Sequence, residues 1–221
     1  MELNEYKALY EGKKLLSIDE AGRGPLCGPV VIAGVIFNDD FDEEKKKKIR
    51  DSKKMTEKAR EEMYSYIIKN AKCAVSIHNA DKIDKLGISK CVSLGVLEVY
   101  EKLGKYAELT IFDGNWNPVE TPDFHTMIDA DEHIKECAAA SIIAKVTHDR
   151  IIYKIAEKYP QYELEKHKGY GTKRHRELII EHGRCPEHRK SFKIKGYDDD
   201  PYRKRLKEEA RIRNKMEEYH K

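Results

Sequence analysis

LLSIDEAGRGPLCGPVVIAGVIF, Leu15–Phe37, is the stretch from which the fold can be read. Two apolar runs, Leu15–Asp19 and Val30–Phe37, have strand length and are separated by a turn rich in Gly and Pro. A link this short pairs its strands antiparallel, because a parallel return needs a crossover of a dozen residues or more. The first run ends on two adjacent carboxylates, Asp19 and Glu20, and Gly22-Arg23-Gly24 follows at once. Two negative charges at the end of a run of core residue types need a physical reason.

Downstream, Thr56 caps a predicted helix over Glu57–Asn70 with Met63 and Ile67 on one face. Cys73, Val75 and Ile77 alternate as in a half-exposed strand. Helical sequence begins at Asn79 or Asp81, is interrupted at Gly87, resumes over Ser89–Leu103 and ends at Gly104. Leu109–Phe112 is a short apolar strand that also stops on a carboxylate, Asp113, and Phe124–Ile128 is a further strand ending near Asp129 and Asp131. A long helix is expected over Glu132–Tyr159, stopped by Pro160. The basic loop HKGYGTKRH then leads into a helix over Arg174–His182. From Pro201 onward the pattern is helical and densely charged. Strands followed by helices interleaved with strands give an α/β protein with a mixed sheet, antiparallel at first and parallel after the helical crossovers.

The chain has 221 residues, enough for a sizeable core. Its charged fraction, 38%, is well above that of an average globular chain, yet the net charge is only +3. That balance neither demands a nucleic-acid partner nor forbids one whose basic residues gather on one face. Five scattered cysteines without a CxxC pair speak against a disulfide framework or a zinc site and fit a reducing compartment. The start, MELNEYK, has no apolar signal segment, and the uncharged stretch from Gly24 to Asn38 is too short and broken to span a membrane. A cytoplasmic protein without membrane contact is expected.

In mixed α/β sheets ligands gather at the carboxyl ends of strands. If the strands ending in Asp19 and Asp113 are neighbours, the two carboxylates meet, and Glu20 with either Asp129 or Asp131 completes the cluster. Crowded like charges repel and raise one another's pKa. A divalent cation removes the conflict, and an all-oxygen set suits Mg²⁺ or Mn²⁺. The plainer reading of each carboxylate alone is a helix cap or a solvated strand end. Gly22-Arg23-Gly24 alone is an ordinary turn, although its backbone can approach a ligand closely and Arg23 can fork onto a phosphate.

Six blocks in order carry a more specific signal: DEAGRGPLCGPVV, DSKKM at Asp51–Met55, FDGN at Phe112–Asn115, AAASIIAKVTHDR at Ala138–Arg150, HKGYGT at His167–Thr172 and HRKSF at His188–Phe192. Together, over about residues 14 to 196, they resemble ribonuclease HII. The resemblance implies a ribonuclease H-like fold, a mixed central sheet flanked by helices, with a helical C-terminal part. It implies a catalytic domain over 1–159 and a helical extension over 160–221 that completes the substrate groove.

The activity implied is endonucleolytic cleavage of RNA in RNA–DNA hybrids and at ribonucleotides embedded in duplex DNA, by a monomer using Mg²⁺ or Mn²⁺. The family's metal-binding, catalytic carboxylates fall on Asp19, Glu20 and Asp113. A fourth, seven positions before the AAAS block, falls on Asp131. Recognition of the 2′-hydroxyl falls on Gly22, Arg23, Gly24 and Tyr170. Lys53, Lys145, Lys168, Lys173, Arg174, Arg189 and Lys190 are candidate phosphate contacts. The chain departs from the family pattern at Asp129-Ala130-Asp131, at Glu136-Cys137 before AAAS, and at His148, where Arg is common and the change is expected to be peripheral. Ser141 is expected to let its helix pack closely on the sheet, and Cys27 and Cys137 to be small core residues.

Overall fold

The computed structural model describes residues 3–199. Its centre is a five-stranded sheet in the order β3-β2-β1-β4-β5. The strands are β1 (Leu15–Ala21), β2 (Val30–Phe37), β3 (Ala71–His78), β4 (Leu109–Asp113) and β5 (Phe124–Met127). Between and around them run α1 (Leu3–Tyr10), α2 (Glu43–Lys48), α3 (Glu57–Asn70), α4 (Ala80–Leu86) and α5 (Ile88–Leu103). After β5 come α6 (Ala130–His133), α7 (Lys135–Lys158), α8 (Leu164–His167) and α9 (Lys173–His182). As the link lengths require, β1–β2 and β2–β3 are antiparallel, while β1–β4 and β4–β5 are parallel.

β2 is buried along its whole length, so both its faces meet helices. Val31, Ala33 and Val35 pack on α7 and α3, beside the small Ala138–Ala140 run. Val30, Ile32 and Ile36 face the opposite side and meet Val92, Val96 and Val99 of α5. Close approach is obligatory there: a Cβ on Gly34 would lie 2.4 Å from Val99 Cγ1, and one on Gly95 2.5 Å from Ile32 Cδ1. A third cluster joins Cys27, Ile152 and Ile155 to Tyr162, Leu164, Leu178 and Ile179, seating the segment after Pro160 on the end of α7. No described helix is long and apolar enough to cross a membrane.

Several expected elements keep their bounds, including α3 with its Thr56 cap and buried Met63 and Ile67. In β3, Cys73 and Val75 pack inward, but Ile77 is exposed while Ser76 and His78 are buried. Two differences matter for the site. β1 runs past Asp19 to Ala21, because Asp19, Glu20 and Ala21 keep pairing with Ala33, Ile32 and Val31 after β4 has ended. The expected single helix over Glu132–Tyr159 is broken at Ile134, which is extended and buried beside Leu109, Ile111 and Met127. The charged sequence pattern beyond Pro201 lies outside the described residues.

Candidate active site

Register and strand parity bring the carboxylates together. β1 and β4 pair in parallel up to Ile18↔Phe112, so Asp19 and Asp113 are the next residues on neighbouring strands. Side chains alternate along a strand. Ser17, Asp19 and Ala21 therefore share the α7 face, as do Ile111 and Asp113, while Glu20 points toward the opposite face. The break at Ile134 turns α6 so that the Asp131 backbone N–H donates to Asp113 Oδ2 at 3.3 Å. As a result Asp19, Asp113 and Asp131 each place an oxygen within 4.8 Å of the other two. Asp19 and Asp131 are buried and Asp113 is half-buried.

Glu20 lines the same cavity, of about 250 Å³, from the side. Its Oε1 lies 3.6 Å from Arg23 Nη1. The Arg23 guanidinium in turn lies over the Trp116 ring, 4.7 Å from its centroid. Trp116 is fixed by an edge contact with Phe112 and by donating to Ser93 Oγ at 3.1 Å. Asp129 takes a left-handed conformation (φ 55°) and sits exposed at the rim, so the pair left open by the sequence divides into a buried Asp131 and a peripheral Asp129.

This crowding shifts every member of the group upward. Burial raises the Asp19 carboxyl well above its ordinary range, with Asp113 and Glu20 adding to it. Burial carries Glu20 to about 7 against the pull of Arg23. Asp131 reaches about 6 through burial, Asp113 and Asp51, and Asp113 itself is raised mainly by burial. Lys53 is the counterweight at the rim: burial opposes its charge, but Asp131, Asp51, Asp19 and Asp113 together hold its pKa above the ordinary value. The donor set is all oxygen, and Glu20 Oε2 is buried without a hydrogen-bond partner among the described residues. Such a set fits hard divalent cations, which take carboxylate oxygens.

The rest of the wall is built around the Gly-Arg-Gly turn. Gly22, Arg23, Gly24, Ser52, Ser141, Lys145 and Tyr170 line the cavity with the acids. A Cβ on Gly24 would lie 3.5 Å from Tyr170 Cε1, so ring and turn are in contact. Ser141 sits buried in α7 with its hydroxyl 2.9 Å from Ser52 Oγ, facing Asp19 as well as packing. Cys27 and Cys137 are core residues, fully buried.

Of the expected phosphate contacts, Lys53 and Lys145 border the cavity, Lys145 while bonded to Asp149 at 2.7 Å. Lys168 donates to Tyr153 Oη at 2.6 Å, and Arg174 pairs with Glu163 at 2.5 Å. Arg189 is a correction: it is fully buried and cannot reach a phosphate. Its guanidinium donates to the carbonyls of Gly22 (2.5 Å), Arg23 (2.9 Å), Pro29 (2.8 Å) and Gly28 (3.0 Å). It thus ties the start of the Gly-Arg-Gly turn to the Gly28-Pro29 segment from at least 160 residues away in the chain. His148, expected to be peripheral, is buried directly against Gly22, where a Cβ would lie 2.4 Å from its Cδ2. The blocks HRKSF and THDR carry the family resemblance, but nothing in them signals that Arg189 and His148 support a turn.

Fold and site together define a mixed α/β protein with a cluster of carboxylates at its strand ends, suited to divalent cations. A family model described as Ribonuclease HII matches residues 16–195. A ribonuclease HII of Sulfurovum sp. is 46% identical over 191 residues, covering 86% of this chain and 96% of the relative. One of Campylobacter jejuni is 42% identical over 196 residues, covering 85% and 99%. Among solved structures, the ribonuclease HII of Archaeoglobus fulgidus, determined as a complex with PCNA, superposes with a TM-score of 0.68 at 30% identity, covering 82% of this chain and 96% of that one. The chain belongs to the ribonuclease HII family, and that membership implies ribonuclease H activity on RNA–DNA hybrids.

The raised carboxyls predict an inverted pH response in the metal-free protein. Between about pH 4 and 7 the folded state holds protons that the unfolded chain has lost, so these groups weaken folding as pH rises. With a chelator present at pH 8, Asp113→Asn is expected to stabilise the fold by on the order of 1 kcal/mol. The gain should shrink toward pH 5, as followed by thermal unfolding. Arg189→Lys is expected to lose about 2 kcal/mol, because one ammonium cannot reproduce a fork onto four carbonyls. Hybrid cleavage should fall with it, whereas calorimetric metal binding should stay at the wild-type value.

Proposed function

We propose that this protein nicks duplex DNA on the 5′ side of an embedded ribonucleotide, and cleaves the RNA strand of hybrids, leaving 3′-hydroxyl and 5′-phosphate ends. The observation that carries the reading is the single cavity that holds both the Asp19–Asp113–Asp131 triad and the Gly24–Tyr170 contact. Asp19, Glu20, Asp113 and Asp131 would hold Mg²⁺ or Mn²⁺. A pair of such ions supplies an activated water and stabilises the leaving oxygen.

The protein's own groups do the rest. Asp19 and Asp113 would contribute carboxylate oxygens from neighbouring strand ends, with Asp131 and Glu20 completing the donor set. Lys53 and Lys145 border the same cavity and suit a phosphate. The 2′-hydroxyl is the group that separates RNA from DNA. The polar backbone of Gly22, Arg23 and Gly24 offers hydrogen bonds to it, and the Tyr170 ring offers a stacking face for the adjoining sugar. No histidine lines the cavity, which suits hydrolysis by activated water better than attack by the 2′-hydroxyl itself. In this reading residues 1–159 carry the chemistry, the part from 160 to 221 completes the groove, and the protein acts as a monomer in the cytoplasm.

The test is cleavage of a duplex carrying one ribonucleotide, with all-DNA duplex as control and end-group analysis of the products. A cut 5′ of the ribonucleotide in Mg²⁺ or Mn²⁺, with 3′-hydroxyl ends, is expected, and Asp113→Asn should abolish it. Cyclic phosphate ends, or normal cutting by Asp113→Asn, would refute the assignment. Hybrid binding without cleavage in either ion would point to a silent binding module instead.

A further inference from the structure

Three histidines that the proposed chemistry does not use pack in a row beside Tyr170. His167 stacks on His175 with ring centroids 4.3 Å apart, and His175 Nε2 lies 3.1 Å from His188 Nε2. His175 and His188 are both fully buried. Burial pushes the His175 pKa down to about 4, with His167 and His188 adding to it against the Tyr170 carbonyl. The ring is therefore neutral and carries one proton, and its place can be deduced.

The two ends of the His175–His188 pair fix it. At one end the Cys185 backbone N–H donates to His188 Nδ1 at 3.0 Å. Nδ1 must accept, so the His188 proton is on Nε2. At the other end His175 Nδ1 lies 2.9 Å from the Tyr170 carbonyl, which can only accept, so the His175 proton is on Nδ1. The two requirements agree: His188 Nε2–H donates to a bare His175 Nε2. Cys27, Cys185 and His188 do place two sulfurs and Nδ1 within 4.8 Å, a soft-metal donor set by type. However, the Nδ1 lone pair is already engaged by Cys185, whose Sγ is also 3.0 Å away. The cluster therefore anchors the row.

What the row holds is the turn that presents Tyr170. Lys168 and Gly169 on its approach are both left-handed, with φ 50° and 80°. The Tyr170 carbonyl also accepts from Thr172 N–H at 2.8 Å. Tyr170 is 45% exposed and lines the cavity.

We propose that His175, held as its Nδ1–H tautomer by His188, is a positioning residue for ribonucleotide recognition, fixing through the Tyr170 carbonyl the ring that faces the Gly24 turn. The inference rests on the reading of Tyr170 as a contact to the ribonucleotide.

Two isosteres separate the bonds: the amide nitrogen of Asn takes the place of Nδ1, and the amide of Gln that of Nε2. His175→Gln keeps the link to His188 but loses the donor to Tyr170. Its kcat/KM on a single embedded ribonucleotide should fall about tenfold, the scale of one hydrogen bond. His175→Asn keeps the donor and should stay within about threefold, since a bond kept costs little. In a Tyr170→Ala background His175→Gln should have no further effect, because the two residues act as a unit.

An undiminished loss in that background, with folding intact by thermal unfolding, would overturn the proposal. Wild-type cleavage by Tyr170→Ala alone would instead remove the reading of Tyr170 and the proposal with it. Should the buried variants not fold, nitrogen-15 NMR of the wild-type rings decides. His175 protonated on Nδ1 and His188 on Nε2 is the expected result, and the opposite tautomer of either would overturn it.

Discussion

Repulsion among three crowded carboxylates, two buried and one half-buried, is the constraint around which the rest of this structure is arranged. Asp19, Asp113 and Asp131 lie within 4.8 Å of one another, where both burial and like charge disfavour ionisation. Nothing in the packing of a sheet calls for such a cluster. It lowers the stability of the fold at neutral pH, and in the proposed reading a divalent cation offsets that cost by neutralising the cluster.

The architecture makes that cluster unavoidable. Parallel pairing of β1 with β4 puts two strand ends side by side, and strand parity sends Asp19 and Asp113 to one face. The extended residue Ile134 separates α6 from α7 and aims Asp131 back at Asp113. The same parity sends Glu20 the other way, toward Arg23 and Trp116. One strand end thus serves two sides of a single cavity. Support for the Gly-Arg-Gly turn comes from far along the chain, where Arg189 holds Gly22 and Arg23 by their carbonyls.

Much of this was legible in the residues. The short link after Glu20 implied an antiparallel pair, and two strands ending on Asp implied a shared ligand edge. The fourth carboxylate was ambiguous because Asp129 and Asp131 are chemically identical; the left-handed turn at Asp129 separates them, and no side-chain property signals it. The break at Ile134 was invisible because its neighbours are all tolerable in a helix, and the deviation comes from tertiary burial of Ile134. Arg189 looked like a phosphate contact because an arginine in a basic segment usually stays solvated. Only the fold shows four carbonyls converging on it.

The central claim is that burial and crowding raise these acids, so that a bound cation displaces the protons they hold below neutral pH. Calorimetric titration of the full chain with Mg²⁺ or Mn²⁺, in buffers of different ionisation enthalpy, counts those protons directly. Glu20 near 7 and Asp131 near 6 predict net proton release on binding at pH 6 that diminishes as the pH rises past 7. Binding at pH 6 with no proton release would contradict the account.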